Sequence, residues 1–100
     1  MSNKLVAFFR KCKELNLPVD LCAFAYMELR NNSYTAEVFY SFFKDIYSED
    51  EIFDYLKLMI ENNLLIAFDD DNLGFDDTCF LALNIAYDPN INLAKELQNE

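Results

Sequence analysis

YSEDEIFDYLKLMIENNLLIAFDDDNLGFDD (residues 47–77) is the stretch on which the reading of the fold turns. Ile52, Phe53, Leu56, Met59 and Ile60 recur at helical spacing and define an inward side. Ser48 stands three residues before Glu51, the capping-box arrangement in which a hydroxyl and a carboxylate satisfy each other's backbone amides at a helix start. The helix ends near Asn62–Asn63, because asparagine tolerates the left-handed conformation that a helix exit commonly needs. LLIAF (64–68) then reads as a short strand and TCFLALN (78–84) as its returning partner. Gly74, the only glycine of the chain, sits in the turn between them, where positive φ is most needed.

Outward from this stretch the chain is helical. Leu5, Val6, Phe8, Phe9, Cys12 and Leu15 mark one side of a helix over residues 3–15. Pro18 interrupts it by disfavouring helix at Leu17 and removing a backbone donor. A second helix, about 19–30, carries Leu21, Cys22, Phe24, Ala25 and Leu29, and RNNS stops it. Thr35 is the expected N-cap of a third, about 36–46, with Val38, Phe39, Phe42, Phe43 and Ile46 facing inward. The tail, 89–100, reads as a short, loosely held final helix.

One hundred residues make one domain with a single modest core. The 53% apolar content is enough to fold despite a net charge of −10, and one glycine with two prolines favours helices over a turn-rich sandwich or barrel. No apolar run approaches the roughly 18 residues of a membrane span, so no membrane partner is expected. The N-terminal segment is interrupted at Arg10 and lacks a small-residue cleavage site, which reads as a mature helix. Three widely spaced cysteines, Cys12, Cys22 and Cys79, fit a reduced, cytoplasmic setting better than a disulfide framework.

The predicted order of a helix, a helix beginning at YTAEV, a third helix and a hairpin resembles a winged helix over residues 19–84. LKLMIENNLLI looks like that family's recognition-helix exit, with Asn63 where the family usually has glycine. The resemblance implies a mainly α domain with one β-hairpin, to which the helix over residues 3–15 is an extra N-terminal element. It also implies DNA binding through basic and amide side chains on the third core helix and the wing. Here those positions carry Glu49, Asp50, Asp54, Lys57 and Glu61 on the helix, and Asp69, Asp70, Asp71, Asp76 and Asp77 in the turn. Carboxylates repel phosphates and release no counterions, so direct DNA binding through this face is not expected.

Charge is unevenly distributed. Residues 1–13 hold Lys4, Arg10, Lys11 and Lys13 and no acid, whereas residues 45–88 hold twelve acids against Lys57 alone. Enzyme chemistry has little to stand on. Without histidine there are no His-based triads or zinc ligands, and no CxxC pair offers a metal or redox site. No cofactor or metal is expected. As a calcium loop, DDDNLGFDD places Gly74 correctly after Asp69 and Asp71 but offers Leu73 at the fifth position and Phe80 at the twelfth, so two ligands fail.

The expected function is therefore a non-enzymatic inhibitor that occupies the basic surface of a nucleic-acid-binding protein. An anti-defence (anti-CRISPR) inhibitor of phage type and an immunity protein against a nuclease toxin both answer to that description. The expected contact residues are Glu49, Asp50, Asp54, Glu61, Asp69, Asp70, Asp71, Asp76 and Asp77, with Tyr55. The alternative is an adaptor or structural subunit, a homodimer or a docking module, using its aromatics. Tyr34, Tyr40, Tyr47, Tyr55 and Tyr87 are the rings expected to be partly exposed.

Overall fold

Apolar residues at helical spacing, uninterrupted by proline or glycine, wind Asn3–Glu14 into the first helix (α1). The structure is a computed structural model that describes residues 3–68 and 79–88. Asn16 (φ 58°) ends α1 in the left-handed region, with Leu17 N–H donating to the Cys12 carbonyl at 3.0 Å and Asn16 N–H to that of Lys13 at 3.1 Å. This is a Schellman exit, which satisfies two carbonyls left over at the helix end. Pro18, with β-region dihedrals, is the N-cap of the second helix, Val19–Leu29 (α2).

After α2 come a two-residue strand, Tyr34–Thr35 (β1), and a short helix, Ala36–Ser41 (α3). Thr35 caps α3 as expected, its hydroxyl accepting from the Val38 amide at 3.2 Å. The third helix is shorter than the expected 36–46. The Ser41 hydroxyl donates to the Val38 carbonyl, and the Phe42 and Phe43 amides bond three residues back, so the helix tightens into turns. Phe39 and Phe43 are buried, while Val38, Phe42 and Ile46, expected inward, are exposed.

The fourth helix (α4) spans Glu49–Glu61, and both bonds of the Ser48–Glu51 capping box are present, at 3.0 and 3.1 Å. Its exit repeats that of α1. Asn63 (φ 62°) is left-handed, Asn63 N–H bonds Ile60, and Leu64 N–H bonds the Met59 carbonyl at 2.9 Å. In both exits an Asn-Leu pair turns the chain and the leucine drops into the core.

Leu65–Phe68 (β2) and Phe80–Leu83 (β3) pair antiparallel, Leu65 opposite Leu83 and Phe68 opposite Phe80. The hairpin reading was short by one strand: β1 joins the other edge of β3, with Tyr34 opposite Leu81, giving the order β1-β3-β2. Leu65, Leu81 and Leu83 face inward, and Ile66, Phe68 and Phe80 outward. The turn with Gly74 and the tail lie outside the described residues.

Ile52, Leu56 and Met59 of α4 are fully buried in one core cluster with Leu21, Phe39 and Leu64. Phe53 and Ile60 lie half-buried on the flank of that face. Phe8 of α1, also fully buried, packs on Tyr26 of α2 and on Tyr87 of the 3-10 turn Ile85–Tyr87, with ring centroids at 5.0 and 5.6 Å. Tyr26 donates from its hydroxyl to the Tyr87 carbonyl at 2.9 Å. These contacts make α1 part of the core. No polar or charged residue is buried among the described residues, and no described helix is long and apolar enough to cross a membrane.

Candidate functional site

At 100° per residue, burial of Ile52, Leu56 and Met59 fixes which side of α4 meets solvent. Asp50, Asp54, Lys57 and Glu61 recur at intervals of four, three and four along that outer side, and all are exposed. Glu49 is exposed as well, but its spacing places it beside Phe53 and Ile60 rather than in the stripe. Glu51 is committed to the capping box. Sequence periodicity alone separates these roles once the inward face is fixed.

Asp50, Asp54 and Glu61 make no ion pair among the described residues, where the one salt bridge joins Lys11 to Glu14 at 3.6 Å. Asp50 sits in the first turn, where the helix dipole favours an anion, and Glu61 is the last residue, where the dipole opposes one. From Asp50 to Glu61 the stripe runs roughly 16 Å at 1.5 Å per residue, and its net charge with Lys57 is −2. Duplex DNA carries one negative charge per about 1.7 Å, so the charge on this helix is several-fold sparser than that on a duplex. Asp69, Asp70, Asp71, Asp76 and Asp77, which supply the remaining acids of the expected site, lie outside the described residues.

Tyr55 is half-buried on the side of α4 and meets Tyr47 edge to face at 5.9 Å. The Tyr47 hydroxyl donates to both carboxylate oxygens of Asp20, at 2.9 and 3.2 Å. Desolvation first, and then this bond to an anion, push the Tyr47 phenol up to about 12. Tyr55 therefore belongs to a wall that ties α4 to the start of α2. Tyr34, Tyr40 and Tyr87 are half-buried too.

The residues missed by sequence reading are apolar. Val38, Phe42 and Ile46 are 43%, 52% and 65% exposed, and Ile66, Phe68 and Phe80 cover the outer side of the sheet. Phe42 leans on Phe24 at 5.0 Å, and Phe68 stacks on Phe80 at 5.9 Å. Hydrophobic periodicity cannot flag them, because an exposed apolar stripe has the same spacing as a buried one. Elsewhere, an apolar cavity of about 490 Å³ opens between α1 and α2, lined by Phe9, Leu17, Val19, Lys13, Asn16 and the two thiols of Cys12 and Cys22.

Among the described residues, no group of three or more His, Cys, Asp or Glu side chains is placed to hold a metal ion. Phe80, the failed twelfth position of the calcium-loop alignment, is a strand residue stacked on Phe68. Comparison with known proteins finds no matching family model, no matching curated protein and no matching solved structure.

Proposed function

We propose that this chain is a small, acidic, non-enzymatic binding protein of winged-helix type that inhibits a nucleic-acid-handling protein by occupying its basic surface. The observation that carries this reading is the outer stripe of α4. Three exposed carboxylates with no ion pair among the described residues stand where a winged-helix DNA reader offers cations to a groove. The winged-helix assignment is supported by the order α2-β1-α3-α4-β2-β3, with β1 and β2 flanking β3. The sequence adds five aspartates between β2 and β3, which raises the negative charge beyond what the helix stripe supplies. A basic groove would gain attraction and fast encounter from such a surface, whereas DNA would be repelled. Inhibition of a host defence complex and neutralisation of a nuclease toxin are the two cytoplasmic settings that need this chemistry.

The test is capture from host extract on immobilised protein at low salt, followed by elution with duplex DNA. The expected captured proteins bind nucleic acid and leave the resin when duplex or salt is added. The combined Asp50→Lys, Asp54→Lys and Glu61→Lys variant should weaken capture by more than about tenfold, although each exposed pair contributes only about 0–1 kcal/mol. Reversing Lys4, Lys11 and Lys13 should matter less. Partners that ignore duplex and survive the acidic reversals would overturn the reading.

A second reading, an adaptor that dimerises or docks through apolar contacts, is favoured by the exposed Val38, Phe42 and Ile46. It requires capture, or self-association, that resists salt and is lost in Phe42→Ala or Tyr55→Ala.

A further inference from the structure

We infer that Cys12 and Cys22 form a dithiol modification site, which a small peroxide converts to a disulfide joining α1 to α2. The two thiols come from different helices and line the same cavity, whose other walls are Phe9, Leu17 and Val19 with Lys13 and Asn16. Their backbones are tied to one tight reversal of the chain. The Leu17 amide donates to the Cys12 carbonyl at 3.0 Å, and the Cys22 amide donates to the carbonyl of the next residue, Pro18, at 3.1 Å. Across that reversal each thiol perturbs the ionisation of the other. Both side chains are almost wholly buried, but Val19 is 76% exposed and Lys13 is exposed, so the cavity they share reaches solvent.

The two sulfurs are not equivalent. The neighbouring Cys22 thiol holds Cys12 below its usual range, while Cys12 and burial push Cys22 up. Cys12 is therefore the more acidic of the two and attacks as its thiolate, with Cys22 as the resolving thiol. The Cys12 thiolate attacks one peroxide oxygen, the O–O bond breaks, and a sulfenic acid forms with loss of hydroxide, which takes up a proton as water. The Cys22 sulfur then attacks the sulfenic sulfur, loses its proton and expels a second water. One peroxide is reduced to two waters and two thiols are oxidised to one disulfide. Cys79, although buried, is not among the residues lining this cavity and stays a thiol.

The site can be tested on the native protein without knowing its partner. The protein is treated with hydrogen peroxide, denatured, alkylated with iodoacetamide and weighed. The expected product has lost two hydrogens, carries one alkyl group, on Cys79, and yields a linked peptide pair containing Cys12 and Cys22. Dithiothreitol should restore three alkylated thiols. In Cys22→Ser, dimedone should trap a sulfenic acid at Cys12 and not at Cys79. Three alkylated thiols after peroxide, a disulfide involving Cys79 or a second chain, or sulfinic acid at Cys12 with Cys22 still reduced would each overturn the inference.

Discussion

Glu61→Lys should stabilise this protein, and Asp50→Lys should destabilise it, although both change the net charge from −10 to −8. The two residues lie on the same exposed stripe of α4 but at opposite ends of its dipole. At the C-terminal end, where the last turn holds no basic residue, removing an anion and adding a cation each gain about 0.3–1 kcal/mol. Loss of the Lys57–Glu61 attraction and its replacement by repulsion return about 0.2–0.5 kcal/mol each. The net is a gain of about 0.2–1 kcal/mol, or roughly 1–8 °C in Tm for a domain of this size. At Asp50 the same bookkeeping runs in reverse. The lost dipole interaction is partly offset by turning the Asp50–Asp54 repulsion into attraction, leaving a loss of about 0.2–1 kcal/mol. Thermal unfolding followed by far-UV circular dichroism at about 0.01 M salt, where the Debye length is about 30 Å, reads both shifts. At about 1 M salt, with a Debye length of about 3 Å, the difference between the variants should shrink. Shifts of the same sign and size in both variants would refute the dipole argument and assign the effect to relief of overall self-repulsion. A stabilised Glu61→Lys that also weakens capture would mean that the carboxylate is kept at a cost in stability, as a binding residue requires and plain solubility does not.

Phe8→Ala should cost about 3–5 kcal/mol, a large part of the 5–15 kcal/mol typical of a domain, because the ring is fully buried between Tyr26 and Tyr87. A loss below about 1 kcal/mol in urea unfolding would show α1 to be an attachment rather than core. The raised Tyr47 phenol favours the neutral form in the folded state, so its stabilisation is complete below the unfolded value of about 10 and disappears as pH climbs towards about 12. The stability difference between the protein and Tyr47→Phe should therefore fall over that window; a difference that stays constant through it would contradict the Tyr47–Asp20 assignment. In a gel shift at moderate salt the protein should not retain duplex DNA, and sequence-specific retention at sub-micromolar protein would show that its acidic face does not exclude DNA.

Local hydrogen bonding was legible in the sequence because its partners lie within a few residues of one another. The Ser48–Glu51 box, the Thr35 cap and the asparagine exit at Asn63 are all of this kind. The pairing of 65–68 with 80–83 is not local, but two short apolar runs on either side of one acidic segment marked it. So is the outward stripe of Asp50, Asp54 and Glu61, which follows from helix periodicity once Ile52, Leu56 and Met59 face in. Only the tertiary structure decided the rest. Tyr34–Thr35 is too short to show an alternating pattern and becomes a strand solely because β3 offers it an edge. The third helix stops at Ser41, and Phe42 stays at the surface against Phe24, so identical spacing leaves one aromatic buried and another exposed. Cys12 and Cys22, read singly along the chain, are unremarkable apolar positions. They become a reactive pair when Asn16 and Pro18 fold α1 back on α2 and place both sulfurs at one cavity, because that proximity depends on the path of the chain in three dimensions and on no local pattern.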